Sequence, residues 1–275
     1  MSSANLVESA KKAAAFRAVD EHLDPSARFV GIGSGSTVVY VVDAIAAKGP
    51  SFHGSMVFIP TGSQSKALIR NAGLTLCNLP DRPLGADGLP VALDVAFDGA
   101  DEVDEELNCI KGGGGCLLQE KGVAVRARKF IVVADYRKIS DRLCTKWISG
   151  IPIEVDPFFA LDVLVDLKAM GSIEPRIRSG LPAKAGECVT DNGNWIIDAP
   201  FKPLKLAKDS SNEGWEVSQL GAAIKQLQGV VETGLFWGLN GIEAAKAIGQ
   251  KTAPQKPIAA YFGLENGEVE VKTAQ

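Results

Sequence analysis

Histidine is scarce in this chain: His22 and His53 are its two. They are too few for a His-rich metal site, so acid–base chemistry falls to carboxylates or lysines. Paired cysteines are missing as well. Cys77, Cys109, Cys116, Cys144 and Cys188 are an odd number without a CxxC spacing, which argues against a disulfide framework or zinc site and for a reducing compartment. No apolar run approaches the ~20 residues that span a bilayer, so no membrane partner is expected. The net charge is −4 and no block of lysine or arginine occurs, so the electrostatic footprint of nucleic-acid binding is missing and an anionic partner must be small and held locally. The start, MSSANLVESAKK, lacks a basic segment followed by an apolar core, which predicts a cytoplasmic protein.

What is present is an ordinary globular composition, 46% apolar and 23% charged, and 275 residues suffice for one large or two modest domains. Residues 5–22 carry apolar side chains at helical spacing, and RFVGIG follows as a short buried strand. The pattern continues with a helix from near Ser36 to Gly49, strand SMVFIP, helix SQSKALIRNAG, strand LTLCNL, a strand in VALDVAFDGADEVD, helix LLQEKGVAVRARK and strand FIVVAD. Strands alternating with helices of this length predict an α/β fold, a Rossmann-like, doubly wound, mostly parallel sheet covered on both faces. Beyond about Cys144 the texture changes. GIPIEVDP, IEPRIR, ECVTDNGNWIID and GVVETGLF are strand candidates around the helix FFALDVLVDLKAMG and one more, with DNGN as a hairpin signal. We read 145–236 as a smaller α+β domain, and 1–144 with 237–275 as the Rossmann-like catalytic domain, the tail packing back on the first sheet.

Each unusual motif falls at a strand end, where ligands gather in such sheets. GIGSGST joins a strand to a helix, and a helix start offers unpaired N–H groups that suit a phosphate. A plain turn with a serine N-cap is the competing explanation. Dinucleotide binding fits poorly, because the GxGxxG pattern begun at Gly31 has Ser36 in its last place and no acidic residue ends the next strand. PTGSQSK repeats the small-residue turn at the next strand end. DVAFDGADEVDEE bunches acids, which raises some pKa values. Asp98 and Asp101, flanking a compact Gly-Ala pair, are expected to be functional, and Asp104 to Glu106 to form a solvated loop. Closely spaced aspartates also suit Mg²⁺.

The glycine run of IKGGGGCLLQEK follows Lys111 and opens a helix that carries Glu120. Consecutive glycine N–H groups wrap an oxyanion without side-chain obstruction, and the lysine adds a positive charge. A phosphate cradle, a carboxylate base, a lysine with amide donors and further carboxylates are the set required for proton abstraction beside a carbonyl. Sugar-phosphate isomerisation fits it.

GIGSGST, PTGSQSK, DGADEVD, KGGGGCLLQEK, VVADYRK, IPIEV and VTDNGNWIID, in this order along most of the chain, resemble ribose-5-phosphate isomerase of type A, towards its eukaryotic branch. The resemblance implies interconversion of ribose 5-phosphate and ribulose 5-phosphate without cofactor or metal, in a homodimer or homotetramer. It implies Glu120 as the base between C1 and C2, Asp98 for hydroxyl protons, Asp101 for ring opening or holding a hydroxyl, and Lys111 with Gly112, Gly113 and Gly114 for the enediolate. Ser34, Gly35, Ser36 and Thr37 would hold the substrate, with Lys138 and Lys11 giving positive charge to the phosphate. By itself Lys11 sits in a KK pair on an amphipathic helix and reads as a surface residue. The stretch from about Phe201 to Gly214 and the tail beyond Trp237 depart from the family pattern, which touches the oligomer contacts and not the chemistry. Rivals are a non-catalytic sugar-phosphate sensor, a coenzyme A transferase-like enzyme with a nucleophilic glutamate, and a Mg²⁺-dependent phosphatase.

Overall fold

A computed structural model describes residues 3–210, 213–248 and 256–274. In chain order the elements are α1 (Ser3–His22), β1 (Phe29–Ile32), α2 (Val38–Ala47), α3 (Pro50–His53), β2 (Val57–Pro60), α4 (Ser63–Asn71), β3 (Val95–Asp98), β4 (Glu102–Val103), β5 (Cys109–Ile110), α5 (Leu117–Ala124) and β6 (Phe130–Asp135). They continue with β7 (Ile151–Val155), α6 (Ala160–Ala169), β8 (Arg176–Ile177), β9 (Trp195–Ala199), α7 (Val217–Lys225), β10 (Val230–Thr233), β11 (Leu235–Phe236), α8 (Gly241–Ile248), β12 (Ala259–Gly263) and β13 (Val269–Thr273).

Two compact units result. The first runs to Gly99 and includes Gln119–Lys138 and the chain from Leu239; the second comprises Ala100–Leu118 and Ile139–Gly238. In the first, six strands lie in the order β13-β12-β6-β3-β1-β2. All neighbours pair in parallel except β13, which returns antiparallel beside β12. The run FIVVAD is buried at every position, as a parallel strand covered on both faces must be. Val30, Ile32, Phe58, Phe97, Ile131, Val133 and Tyr261 from the sheet share one core with Val38, Val41 and Ile45 of α2 and Ala14, Ala15, Ala18 and Val19 of α1. The chain moves outward from β1 to β2, then crosses back to β3 on the other side of β1. Strand order therefore reverses between β1 and β3, which puts a crevice at their carboxyl ends.

The second unit holds an antiparallel sheet, β10-β7-β9-β8, and a small one, β11-β5-β4. Its core gathers Ile151, Ile153 and Val155 of β7 with Val163 and Leu167 of α6 and Leu220 and Ile224 of α7.

Three elements differ from their sequence reading. LTLCNL is not a strand: Leu76 alone bridges Phe58, and the chain then tightens into a 3₁₀ turn at Leu79–Asp81 with Pro80 inside it. Its residues after Leu74 are only part-buried or exposed, so no core face holds them flat. The helix of LLQEKGVAVRARK ends at Ala124, because a tight Arg126 N–H to Val123 carbonyl turn leads Ala127 into a bridge with Leu93. The helix expected from Ser36 starts at Val38, with Thr37 at its N-cap.

Candidate active site

In the first unit, the loop after β1 is built around one carboxylate. Asp98 ends β3, is buried, and through Oδ1 accepts the N–H of Ser34 at 3.1 Å and of Gly99 at 2.7 Å. A Cβ on residue 33 would fall 1.9 Å from that same oxygen, so only glycine lets the β1 loop pass this close. The Ser34 and Thr61 hydroxyls hydrogen-bond at 2.7 Å, joining the ends of β1 and β2. Gly35, with φ +99°, donates its N–H to Gln64 Oε1 at 2.8 Å. Lys11 reaches in from α1: its ammonium donates to Ser36 Oγ at 2.9 Å and to Glu8 Oε1 at 2.7 Å. The hydrogen bond from Lys11, then that from Tyr40, holds the Glu8 carboxyl below the usual range. Hydroxyls, a cation and the start of α2 thus converge on one loop, a combination suited to a phosphate. Glu120 is buried in the first turn of α5, followed by the buried Lys121. Lys138 stands part-exposed in the 3₁₀ turn after β6.

In the second unit, β4 and β5 form a ladder that sets Asp101 beside the glycine run, with the Asp101 N–H donating to the Ile110 carbonyl at 2.8 Å. The Gly113 N–H donates to Asp101 Oδ2 at 2.7 Å. A Cβ on residue 113 would meet both Asp101 oxygens and the Trp147 ring within 2.9 Å, whereas one on Gly114 meets nothing. Gly112 turns the chain at φ +95°. Lys111 is buried, its ammonium 5.4 Å from the centroid of the Phe236 ring. The run is thus a fitted turn and not a slack linker.

Ser34 is bonded to Asp98 and Ser36 to Lys11 in one unit, and Gly113 to Asp101 in the other. Two expectations are corrected. Lys11 is not a surface residue, because α1 packs against β12, β6 and α2 and its ammonium reaches Ser36. Asp104 is not part of a solvated loop: it is fully buried, and takes the N–H groups of Glu106 and Asn108 and the Asn108 amide at 2.8–2.9 Å. The motifs assign no role to Thr61 or Gln64, which bond Ser34 and Gly35; their place in PTGSQSK, at a parallel strand end, is the signal available in the sequence. Among the described residues no group of three or more His, Cys, Asp or Glu is arranged to hold a metal ion.

The profile of the family described as ribose 5-phosphate isomerase A (phosphoriboisomerase A) matches residues 57–249. A ribose-5-phosphate isomerase of Mycosarcoma maydis is 48% identical over 268 residues, covering 98% of this chain and 82% of its own. Among solved structures, a D-ribose-5-phosphate isomerase in complex with phospho-erythronic acid is 31% identical with a TM-score of 0.77, covering 97% of this chain and 99% of its own. A ribose 5-phosphate isomerase A from Methanocaldococcus jannaschii is 30% identical with a TM-score of 0.75, covering 99% and 100%.

Proposed function

The chain belongs to the ribose 5-phosphate isomerase A family and interconverts ribose 5-phosphate and ribulose 5-phosphate, and from that premise we propose how its residues divide the reaction. In the open-chain aldose the C2 proton is acidic because its removal spreads charge onto the carbonyl oxygen. Glu120 takes that proton and returns it to C1, through a cis-enediolate. Lys111 and the glycine amides stabilise the charge that develops on the two oxygens. The Gly113 N–H is directed to Asp101, so Gly112 and Gly114 are the direct amide donors in this scheme. Asp98 moves protons between the hydroxyls, and Asp101 assists ring opening or holds a hydroxyl.

Ser34, Gly35, Ser36 and Thr37 hold the phosphate, with Lys138 adding charge. Lys11 uses two of its three N–H donors on Glu8 and Ser36, which leaves one for the phosphate. The observation that carries this assignment is the Asp98–Ser34–Thr61 cluster with Lys11 at the switch point of the sheet, where a doubly wound fold binds its ligand. An odd number of cysteines, scattered without a CxxC spacing, supports a reducing, cytoplasmic setting. We further propose a homodimer or homotetramer, supported by the exposed apolar side chains of Leu161 and Val165 on α6 and of Phe158 just before it.

The test is conversion of ribose 5-phosphate in excess EDTA by wild type and Glu120→Gln. Wild type should turn over as without chelator, and the variant should lose about 10²–10⁴ in kcat with KM nearly unchanged. Normal kcat with a large rise in KM would reassign Glu120 to binding. Phospho-erythronic acid, whose carboxylate copies the charge of an enediolate, should inhibit competitively.

A further inference from the structure

We propose that Arg178 is a positioning residue for the isomerisation: held by Asp198, its guanidinium grips two carbonyls of the glycine run and so aims the Gly113 N–H at Asp101 and the Gly114 N–H at the reacting oxygens. This rests on the oxyanion role given above to Lys111 and the glycines.

Arg178 follows the short strand β8, and Asp198 lies on the neighbouring strand β9. Nε and Nη2 of the guanidinium donate to the two Asp198 carboxylate oxygens at 3.0 and 2.6 Å, a bidentate pair whose side chains are 17% and 8% exposed. The free edge of the fork faces the glycines. Nη1 donates to the Gly112 carbonyl at 3.1 Å and to the Gly113 carbonyl at 3.0 Å. Four of the five guanidinium donors are therefore committed, two to the anchor and two to the loop.

The consequence follows from peptide geometry. In a trans peptide the C=O and the next N–H point in opposite directions. Fixing the Gly112 carbonyl on Arg178 turns the Gly113 N–H away from it, and there it meets Asp101 Oδ2 at 2.7 Å. Fixing the Gly113 carbonyl turns the Gly114 N–H away in the same manner. Four consecutive glycines have no side chains to set their peptide planes, and each loses much backbone entropy when it is ordered. Arg178 supplies that order from outside the run. Its charge also polarises the two peptides, which makes their N–H groups better donors. Lysine, a compact ammonium without a planar fork, cannot hold both carbonyls and both Asp198 oxygens in this arrangement.

The experiment compares Arg178→Lys, Asp198→Asn and Lys111→Ala with wild type, reading kcat, KM, circular dichroism, melting temperature and the isotope effect with ribose 5-phosphate deuterated at C2. Arg178→Lys is expected to fold and to lose about 10²-fold in kcat. Its KM should stay within about threefold of wild type and its isotope effect should rise, because proton transfer becomes the slower step. Asp198→Asn, in which Arg178 still faces the carbonyls, should show the same pattern with a smaller loss, and it carries the test if Arg178→Lys does not fold. Wild-type kcat in folded Arg178→Lys, with Lys111→Ala impaired, would overturn the positioning role. Wild-type kcat in both would instead overturn the oxyanion reading beneath it. A change confined to KM, or a lower kcat with an unchanged isotope effect and a reduced folded fraction, would show a binding or a purely structural residue and overturn the proposal as well.

Discussion

Asp98 and Asp104 belong to one acidic run and have opposite surroundings. Asp98 accepts backbone N–H groups at the rim of the parallel sheet, whereas Asp104 is fully buried and takes its hydrogen bonds from its own turn. Burial pushes the Asp104 carboxyl up to about 6, against the opposing pull of its bonds to Asn108 and Glu106. Its proton is thus bound more tightly in the folded than in the unfolded chain. Stability from this group is full at low pH and falls as pH rises from about 4 to about 6. A shift of that size corresponds to roughly 2–3 kcal/mol. Asp104→Asn should remove this slope, which urea melts at pH 4.5 and 7 would reveal; a slope that persists would place the titrating group elsewhere. At this scale motifs alone single out Asp98, Asp101 and Glu120 as candidates. They conceal Asp104 and Lys11, because the burial of each depends on segments that no local spacing announces.

At the scale of elements, the chain fixes its irregular segments with carboxylates. Glu102, fully buried in β4, accepts the N–H groups of Cys144, Thr145 and Lys146 at 2.7, 3.0 and 2.7 Å, and the chain passes Cys144 at φ +63°. Glu102→Ala leaves three backbone donors without their acceptor and should cost about 3 kcal/mol or more, measured as a lower urea midpoint. Likewise Glu154 on β7 takes Thr190, Asn192 and Asn194 of the TDNGN turn on one carboxylate oxygen at 2.8–2.9 Å. The turn was legible from its residues; the acid beneath it was not. In the glycine run, Gly113→Ala has no space for its methyl, whereas Gly114→Ala meets open space. Gly113→Ala should therefore lower the melting temperature and kcat together, and Gly114→Ala should leave the melting temperature unchanged. Equal melting temperatures would show that the turn is less constrained than its contacts imply.

For the whole molecule, α6 turns Val163 and Leu167 into the core of its unit and leaves Leu161 and Val165 outward, 71% and 68% exposed, in line with Phe158 at 84%. Three large apolar groups along one face are the kind of surface that the proposed self-association would cover. We expect light scattering to show a dimer or tetramer, and the pair Leu161→Glu with Val165→Glu to reduce it to a smaller species without loss of helix. An unchanged mass would place the contact elsewhere.

The sequence by itself determined the alternation of strands and helices, the parallel sheet that follows from it, and the motifs at the strand ends. These are local properties: hydrophobic period, turn residues, and glycines where a backbone must turn or approach closely. Only the tertiary structure decided which polar groups meet. The fork of Arg178 on the glycine carbonyls, the reach of Lys11 to Ser36 and the burial of Glu102 and Asp104 each depend on segments that folding brings together, 25 to 66 residues apart for the first two. Hydrogen bonds of about 3 Å require that placement in three dimensions, and periodicity along one chain does not encode it.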